Sequence, residues 1–217
     1  HVNAVGHVGN AAPYRGSDAR FTTNPYCCTI PGARESGPMV LDMATTIMAH
    51  GKVRVARNKG EQLPEGVLLN GQGQPTTDPD ALFSEPPGAL RPVGTYKGYG
   101  LALANELLAG ILSGGGTCRP ETHHKNDTIL NNMFSVILDP NRFSGSEFFK
   151  SELDLTVEHV TSSPPMDPLE PVLIPGDPER ENISKREIEG IPIDENSWGL
   201  VLNSAESVGL TSHQITD

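Results

Sequence analysis

Three short stretches of the 217-residue sequence place groups suited to holding an anion at the start of a helix or the end of a strand. Tyr96 and Lys97 open the run YKGYGLALANELLAGIL. An ammonium group, unpaired helix amides and the positive end of the helix dipole are therefore expected together, an arrangement suited to a phosphate. A solvated lysine ahead of a helix is the plainer alternative. Gly176, Asp177 and Pro178 follow LIP. The glycine permits close backbone approach, and the Asp-Pro step predicts a helix with Asp177 as N-cap and Pro178 as first residue, giving a second set of free amides. An ordinary helix start has the same signature. Asp42 ends the apolar run PMVLDM, where an unpaired carboxylate is costly to bury, so either a structural partner or a functional role is expected for it.

Other reactive groups are weaker candidates. His123 and His124 are adjacent, but sequence neighbours rarely bind one ion, and no H-E-x-x-H or C-x-x-C accompanies them. A solvated loop pair, and no metal site, is expected. Cys27 and Cys28 fall in an apolar run where alternate side chains face opposite sides, and no thiolate-stabilising surroundings can be identified for either. The sequence has no G-x-G-x-x-G after a strand, no G-x-x-x-x-G-K-[ST] and no G-x-S-x-G. It therefore offers no Rossmann fingerprint, P-loop or nucleophile elbow.

The elements that must position these groups are partly legible. The runs 26–31 (YCCTIP) and 38–43 (PMVLDM), bounded by Gly, Pro and Ser, predict buried strands joined by a GARESG turn. Ala44, Ile47, Met48 and Val55 predict a helix over 44–57, which Gly51 weakens by roughly 1 kcal/mol relative to Ala. Residues 59–80 are dense in Gly, Pro, Asn and Asp and predict a surface loop with at most a short hairpin at Asn70-Gly71. Leu101, Leu103, Leu107, Leu108, Ile111 and Leu112 cover most of a helix circumference, which predicts burial on several sides, and the glycines at 114–116 end that helix. MFSVILD (133–139) and PVLIP (171–175) read as strands. SEFFKSELDLTVEHV reads as a helix presenting Phe149, Leu153, Thr156, Val157 and Val160 on one face. A final helix is expected through Trp198, Val201, Leu202, Ala205 and Val208. The pattern predicts an α/β (α+β) fold without a doubly wound parallel sheet. Residues 1–162 are expected to form the main domain, and 163–217 a helical segment packing back on it.

Composition narrows the classes. Hydrophobic residues make up 36% and aromatics 5%, with 23 Gly and 19 Pro, which suits a loop-rich mixed fold better than a helical bundle. With 16 Lys+Arg against 27 Asp+Glu, the net charge of -11 repels a phosphate backbone or an anionic bilayer. Neither nucleic acid nor a membrane is an expected partner, and no apolar run reaches the ~20 residues needed to cross a bilayer. Cys27, Cys28 and Cys118 do not form a secreted disulfide framework, so a reducing, cytoplasmic setting is expected. The sequence opens at His1 without an initiator Met, and a fragment or processed product is expected.

The stretches TTNPYCCTIP, MVLDMATTIMAHGKV, LPEGVLLNGQGQPTTDP, YKGYGLALANELLAGIL, LIPGDPE and EGIPIDENSWGLV stand in the order in which the malate/L-lactate dehydrogenase family carries them. Together they resemble that family over nearly the whole chain. The resemblance implies a mixed, largely antiparallel sheet flanked by helices that binds NAD or NADP without a Rossmann unit. It also implies hydride transfer between that cofactor and a small 2-hydroxy/2-oxo acid of the malate or lactate kind. It assigns cofactor contacts to Met39, Val40, Leu41, Asp42, Met43 and Ala44, to Tyr96 and Lys97, and to Gly176, Asp177 and Pro178. His7 holds a further position, where this sequence differs from relatives. Asp42 is also the one catalytic candidate, orienting or charge-balancing an imidazole. The family's acid/base histidine stands in an S-H-G motif that lies upstream of His1, and none of the seven histidines here has that context. A homodimer is expected as well, partly from the resemblance and partly because apolar residues of 15–37 and the helix carrying Trp198 exceed what one modest sheet can cover; an N-terminal segment of the same chain covering them is the alternative. A non-catalytic cofactor-binding or oligomerisation module is the alternative.

Overall fold

The computed structural model describes residues 1–6, 8–34, 37–122 and 129–210. In chain order the elements are β1 (Val2–Gly6), β2 (Tyr26–Arg34), β3 (Gly37–Met43), α1 (His50–Lys59), β4 (Leu68–Leu69), β5 (Pro75–Thr76) and β6 (Ala89–Leu90). They continue with α2 (Tyr96–Asn105), β7 (Leu130–Phe134), α3 (Ser146–Thr161), α4 (Asp177–Glu189) and α5 (Glu195–Ser207). The larger sheet runs β3-β2-β1-β7 and the smaller β5-β4-β6, and every strand pair in both is antiparallel. This is the mixed, helix-flanked, largely antiparallel architecture expected. In the larger sheet Cys27 stands opposite Asp42 and Tyr26 opposite Met43, so β3 is an edge strand with one side of its backbone open to other segments.

The stretch 59–80 forms the short hairpin expected at Asn70-Gly71, with β4 antiparallel to β5, but it is not only surface loop. Leu63, Val67 and Leu68 are buried there and form one cluster with Ala11, Val53, Leu82 and Leu90. The turn residues fold the short apolar pairs between them inward. Asn70 does this by accepting the amides of Gln72 (3.0 Å) and Gln74 (2.9 Å) on Oδ1. Val53, fully buried on α1, contributes on the order of 1.5–3 kcal/mol to this core.

The first helix begins at His50 rather than Ala44 because the backbone after β3 stays extended. The Thr45 amide donates to Thr23 O (2.9 Å) and the Ile47 amide to Arg91 O (2.9 Å). The helix ends at Gly60, whose φ of 69° lets its amide reach the carbonyls of Ala56 and Arg57. Of MFSVILD only the first two residues lie in β7, and Val136, Ile137 and Leu138 are exposed. PVLIP forms no strand; its Pro175 carbonyl instead accepts the Val40 amide at the β3 edge (3.0 Å).

Helix α2 and the π-helical turn that continues it, Glu106–Ile111, are oriented opposite to expectation. Gly98, Ala102, Asn105, Glu106, Ala109 and Gly110 face inward, while Leu103, Leu107, Leu108, Ile111 and Leu112 are exposed. Small residues win the inner face because the helix lies close to β1, where Ala109 packs with Val2 and Ala4. The buried polar groups are satisfied there. Asn24 Nδ2 donates to Glu106 Oε2 (2.5 Å) and Ala102 O (3.1 Å), Asn105 Nδ2 donates to Asn24 O (2.8 Å), and the Cys118 amide donates to Glu106 Oε1.

Helix α3 turns Leu153 and Val157 onto Met39 and Ile174, while Val160 is exposed. Helix α5 is tied to α1 by hydrogen bonds from Asn58 Nδ2 to Ser197 Oγ (3.1 Å) and from Asn196 Nδ2 to Asn58 O (2.5 Å). Trp198 is half-buried on it. Among the described residues no helix is long and apolar enough to cross a membrane.

Candidate cofactor-binding site

The open edge of β3 is where two of the three anion-holding stretches meet. Gly176 has a φ of 100°, and a Cβ placed on it would lie 3.0 Å from Arg180 Nη1 and 3.2 Å from Val40 N, so only glycine fits without displacing its neighbours. Arg180 clamps the loop to the strand: its Nη2 donates to Asp177 Oδ1 (2.5 Å) and its Nη1 to Pro38 O (2.9 Å). The second Asp177 oxygen accepts the Ile174 amide (3.0 Å). Asp177 is therefore a buried, paired residue that fixes loop shape. The N-cap of α4 is Gly176, with Asp177 and Pro178 inside the first turn, one position earlier than the Asp-Pro step predicts. The glycine occupies that position because only it tolerates the cap's left-handed backbone, and the Asp177 amide is occupied by Ile174 O (3.0 Å).

The third stretch joins through the residues that follow β3. Val93 donates its amide to Thr45 O (2.9 Å), and Thr46 bridges Pro92. This pairing launches α2 from the end of β3. Gly98 is wedged into the junction, where a Cβ would sit 2.3 Å from Val93 O and 2.6 Å from Thr45 O. Tyr96 and Lys97 are exposed at the helix start, and Tyr96 meets the Tyr14 ring edge-on at 6.3 Å. The amides at this end are not all free. Lys97 N donates to Gly94 O (3.3 Å) and Gly98 N to Val93 O (2.8 Å), so the loop's own carbonyls take donors that the sequence suggests are available. The Lys97 ammonium has no hydrogen bond or ion pair among the described residues.

Met39, Val40, Leu41, Met43 and Ala44 are half-buried along and just beyond β3, and Asp42 is exposed. Asp42 has no burial cost and, among the described residues, no hydrogen-bond or ion-pair partner; of the two roles open to it from the sequence, the structural pairing is not observed there. His7, His123 and His124 lie outside the described residues. Among the described residues no group of three His, Cys, Asp or Glu side chains is placed to hold a metal. Sequence reasoning missed Arg180, although the spacing D-P-x-R puts a cation one helical turn after the aspartate. It also missed Arg15 and Thr95, whose φ values of 69° and 59° are uncommon for side-chain-bearing residues, most of all for a β-branched one.

The sequence profile of the malate/L-lactate dehydrogenase family matches residues 3–201. The chain is 38% identical over 211 residues to hydroxycarboxylate dehydrogenase B of Escherichia coli (strain K12), covering 97% of this chain and 58% of that protein. It is 40% identical over 181 residues to L-lactate dehydrogenase of Cupriavidus necator, covering 83% of this chain and 52% of that one. Its fold superposes with a TM-score of 0.88 and 36% identity on a putative malate/lactate dehydrogenase from E. coli, over 99% of this chain and 60% of that structure. The chain thus spans a little over half the length of the relatives it matches. With a profile match over most of its length and a shared fold, this chain belongs to the malate/L-lactate dehydrogenase family.

Proposed function

We propose that this chain carries the nicotinamide-binding region of a dehydrogenase that interconverts a small 2-hydroxy acid and its 2-oxo acid. The observation that supports the proposal is that both other stretches attach to β3 and the residues after it: Pro175 O accepts the Val40 amide at 3.0 Å, next to 176–178, and Thr45 O accepts the Val93 amide at 2.9 Å, just before 96–97. The residues fit a nicotinamide dinucleotide. Among the described residues Lys97 offers a cation with no internal partner, Gly176 lets the loop backbone lie against Val40 where a Cβ would crowd Val40 N and Arg180, and β3 carries half-buried apolar side chains suited to packing on a flat ring. With the Lys97, Gly98 and Asp177 amides occupied internally, phosphate recognition rests on the Lys97 ammonium more than on a nest of amides. Bound there, the cofactor supplies the hydride-exchanging carbon. Asp42, exposed and without a hydrogen-bond or ion-pair partner among the described residues, is a carboxylate available to orient or balance a protonated imidazole.

The names of the relatives, which span hydroxycarboxylate, lactate and sulfolactate dehydrogenases, support the acid class for this chain, with either NAD or NADP as partner. Dimerisation belongs to the same proposal. The apolar surface that favours it is the outer face of α2 and the segment Val136 to Leu138, more than residues 15–37. The test is an initial-rate assay of the protein with NADH and with NADPH across pyruvate, oxaloacetate and related 2-oxo acids. Cofactor oxidation that depends on the oxo acid is expected with at least one pair. Absence of turnover with every pair by the whole gene product, while nucleotide binding persists, favours a binding module instead.

A further inference from the structure

Beside the Tyr96–Lys97 stretch lies a cavity of about 510 Å3, walled by residues 12–17, the β4-β5 hairpin and the segment 91–95. Its volume is in the range of small-molecule sites. Its charge is opposite to that of the chain as a whole. The protein carries a net charge of -11, yet among the described residues the wall holds two arginines, Arg15 and Arg91, and no acidic residue. Ile47 and Leu69 supply apolar surface next to them.

Arg91 is the more informative of the two. Its backbone is fixed on both sides, donating to Val67 O (2.9 Å) and accepting from Ile47 N (2.9 Å). Its guanidinium is laid over Gly66, where a Cβ would approach Nη1 to 3.5 Å. Arg91 is half-buried as a residue and, among the described residues, its guanidinium has neither hydrogen bond nor ion pair. A partly desolvated cation without a partner is unfavourable unless something binds it. Arg15 is placed by stacking, its guanidinium carbon 5.3 Å from the Tyr14 ring centre. Arg15 and Thr95, both in the cavity wall, both hold positive φ. Such strain persists only where surrounding structure sustains it, and it gathers at ligand sites.

We propose that this cavity binds the carboxylate of the acid substrate, with Arg91 as its principal ligand and Arg15 as its second. The planar guanidinium fork matches a planar carboxylate in two parallel hydrogen bonds, and the apolar walls lower the local dielectric and strengthen them. Thr95 is the N-cap residue of the helix that begins at Tyr96, so the cavity adjoins the proposed nucleotide site, and holding the carboxylate there would leave the C2 of the acid to face the hydride-exchanging carbon. The assignment rests on the proposed dehydrogenase reading but is tested apart from it.

The experiment is calorimetric titration of the protein with oxalate, NADH and NADPH, comparing wild type, Arg91→Met, Arg15→Met and the exposed surface control Arg142→Met, each checked by thermal unfolding. Arg91→Met is expected to weaken oxalate, and to raise KM for the 2-oxo acid, by about tenfold to a hundredfold, as loss of a charge-assisted pair implies. It leaves NADH affinity and the control unchanged. Arg15→Met shows a smaller loss of the same kind and serves as the readout should Arg91→Met unfold. A loss confined to NADPH puts the cofactor's ribose phosphate in the cavity and overturns the carboxylate assignment, as does unchanged oxalate affinity in both folded variants. Arg91-dependent oxalate binding by a protein that binds neither nucleotide supports the pocket and sinks the cofactor reading.

Discussion

Replacing Gly98 with alanine adds one methyl group at the point where α2 meets the end of β3. That methyl would stand 2.3 Å from Val93 O, 2.6 Å from Thr45 O and 2.7 Å from Val93 N. All three are backbone atoms on segments that are themselves hydrogen-bonded, so none can rotate aside, and the helix must retreat until the nearest contact exceeds 3.0 Å. Overpacking of this kind costs about 1–3 kcal/mol. The retreat also strains the Gly98 N to Val93 O and Val93 N to Thr45 O bonds, each worth about 0.5–1.5 kcal/mol net. Against this, alanine returns about 1 kcal/mol of helix propensity. A net loss of about 2–4 kcal/mol lowers Tm by roughly 4–16 °C for a chain of this length. Gly100 lies two residues along the same helix, exposed, with nothing within 4 Å of an added Cβ; Gly100→Ala is expected to raise stability by about 0.5–1 kcal/mol. Thermal unfolding of the two variants side by side, followed by nucleotide titration, checks the argument. If Gly98→Ala unfolds with or above Gly100→Ala, the described junction is wrong. If it is destabilised yet binds nucleotide as wild type does, α2 and β3 do not share a site.

Three further outcomes follow from other contacts. Asp177→Ala removes the partner of Arg180 and of the Ile174 amide and should cost about 2–4 kcal/mol in urea unfolding; an unchanged midpoint would show that the clamp does not hold the loop. The Cys118 thiol is pushed up to about 11, first by burial and then by the nearby Glu106 carboxylate. It should resist alkylation at neutral pH while the protein is folded and react in denaturant. Because the unfolded thiol loses its proton from about pH 9 while the folded one keeps it, stability should fall as pH rises from about 9 to 11, and a wild-type-like pH profile in Cys118→Ala would remove that explanation. Sedimentation velocity should show a dimer that Leu107→Glu, on the exposed face of α2, dissociates without loss of helicity; a wild-type monomer at every concentration rejects the dimer.

The strands β2 and β3 were legible because apolar runs bounded by Gly and Pro have few alternatives, and α3 and α5 because their apolar residues keep helical spacing. Helix α2 shows where such reading stops. Leucines carry the hydrophobic signal, but the helix turns Gly98, Ala102 and Ala109 inward because close backbone approach demands small residues, a choice that hydrophobicity does not encode. The core under 59–80 was hidden for the reverse reason: Val67 and Leu68 sit between turn residues that mask any period. At the site, residue types were readable and their long-range pairing was not. The local pairing of Asp177 with Arg180 and Ile174 follows from a three-residue spacing, but the anchoring of that loop by Arg180 on Pro38 O and by Pro175 O on Val40 N joins segments more than a hundred residues apart, which no local pattern encodes.

The most direct test of the central claim is a fluorescence titration of the protein with NADH and NADPH, comparing wild type with Lys97→Ala. Saturable binding of at least one nucleotide to wild type is expected, with affinity reduced about fivefold or more in Lys97→Ala for loss of a charged phosphate contact. Failure of wild type to bind either nucleotide would contradict the account, and undiminished affinity in Lys97→Ala would remove Lys97 and the start of α2 from the site.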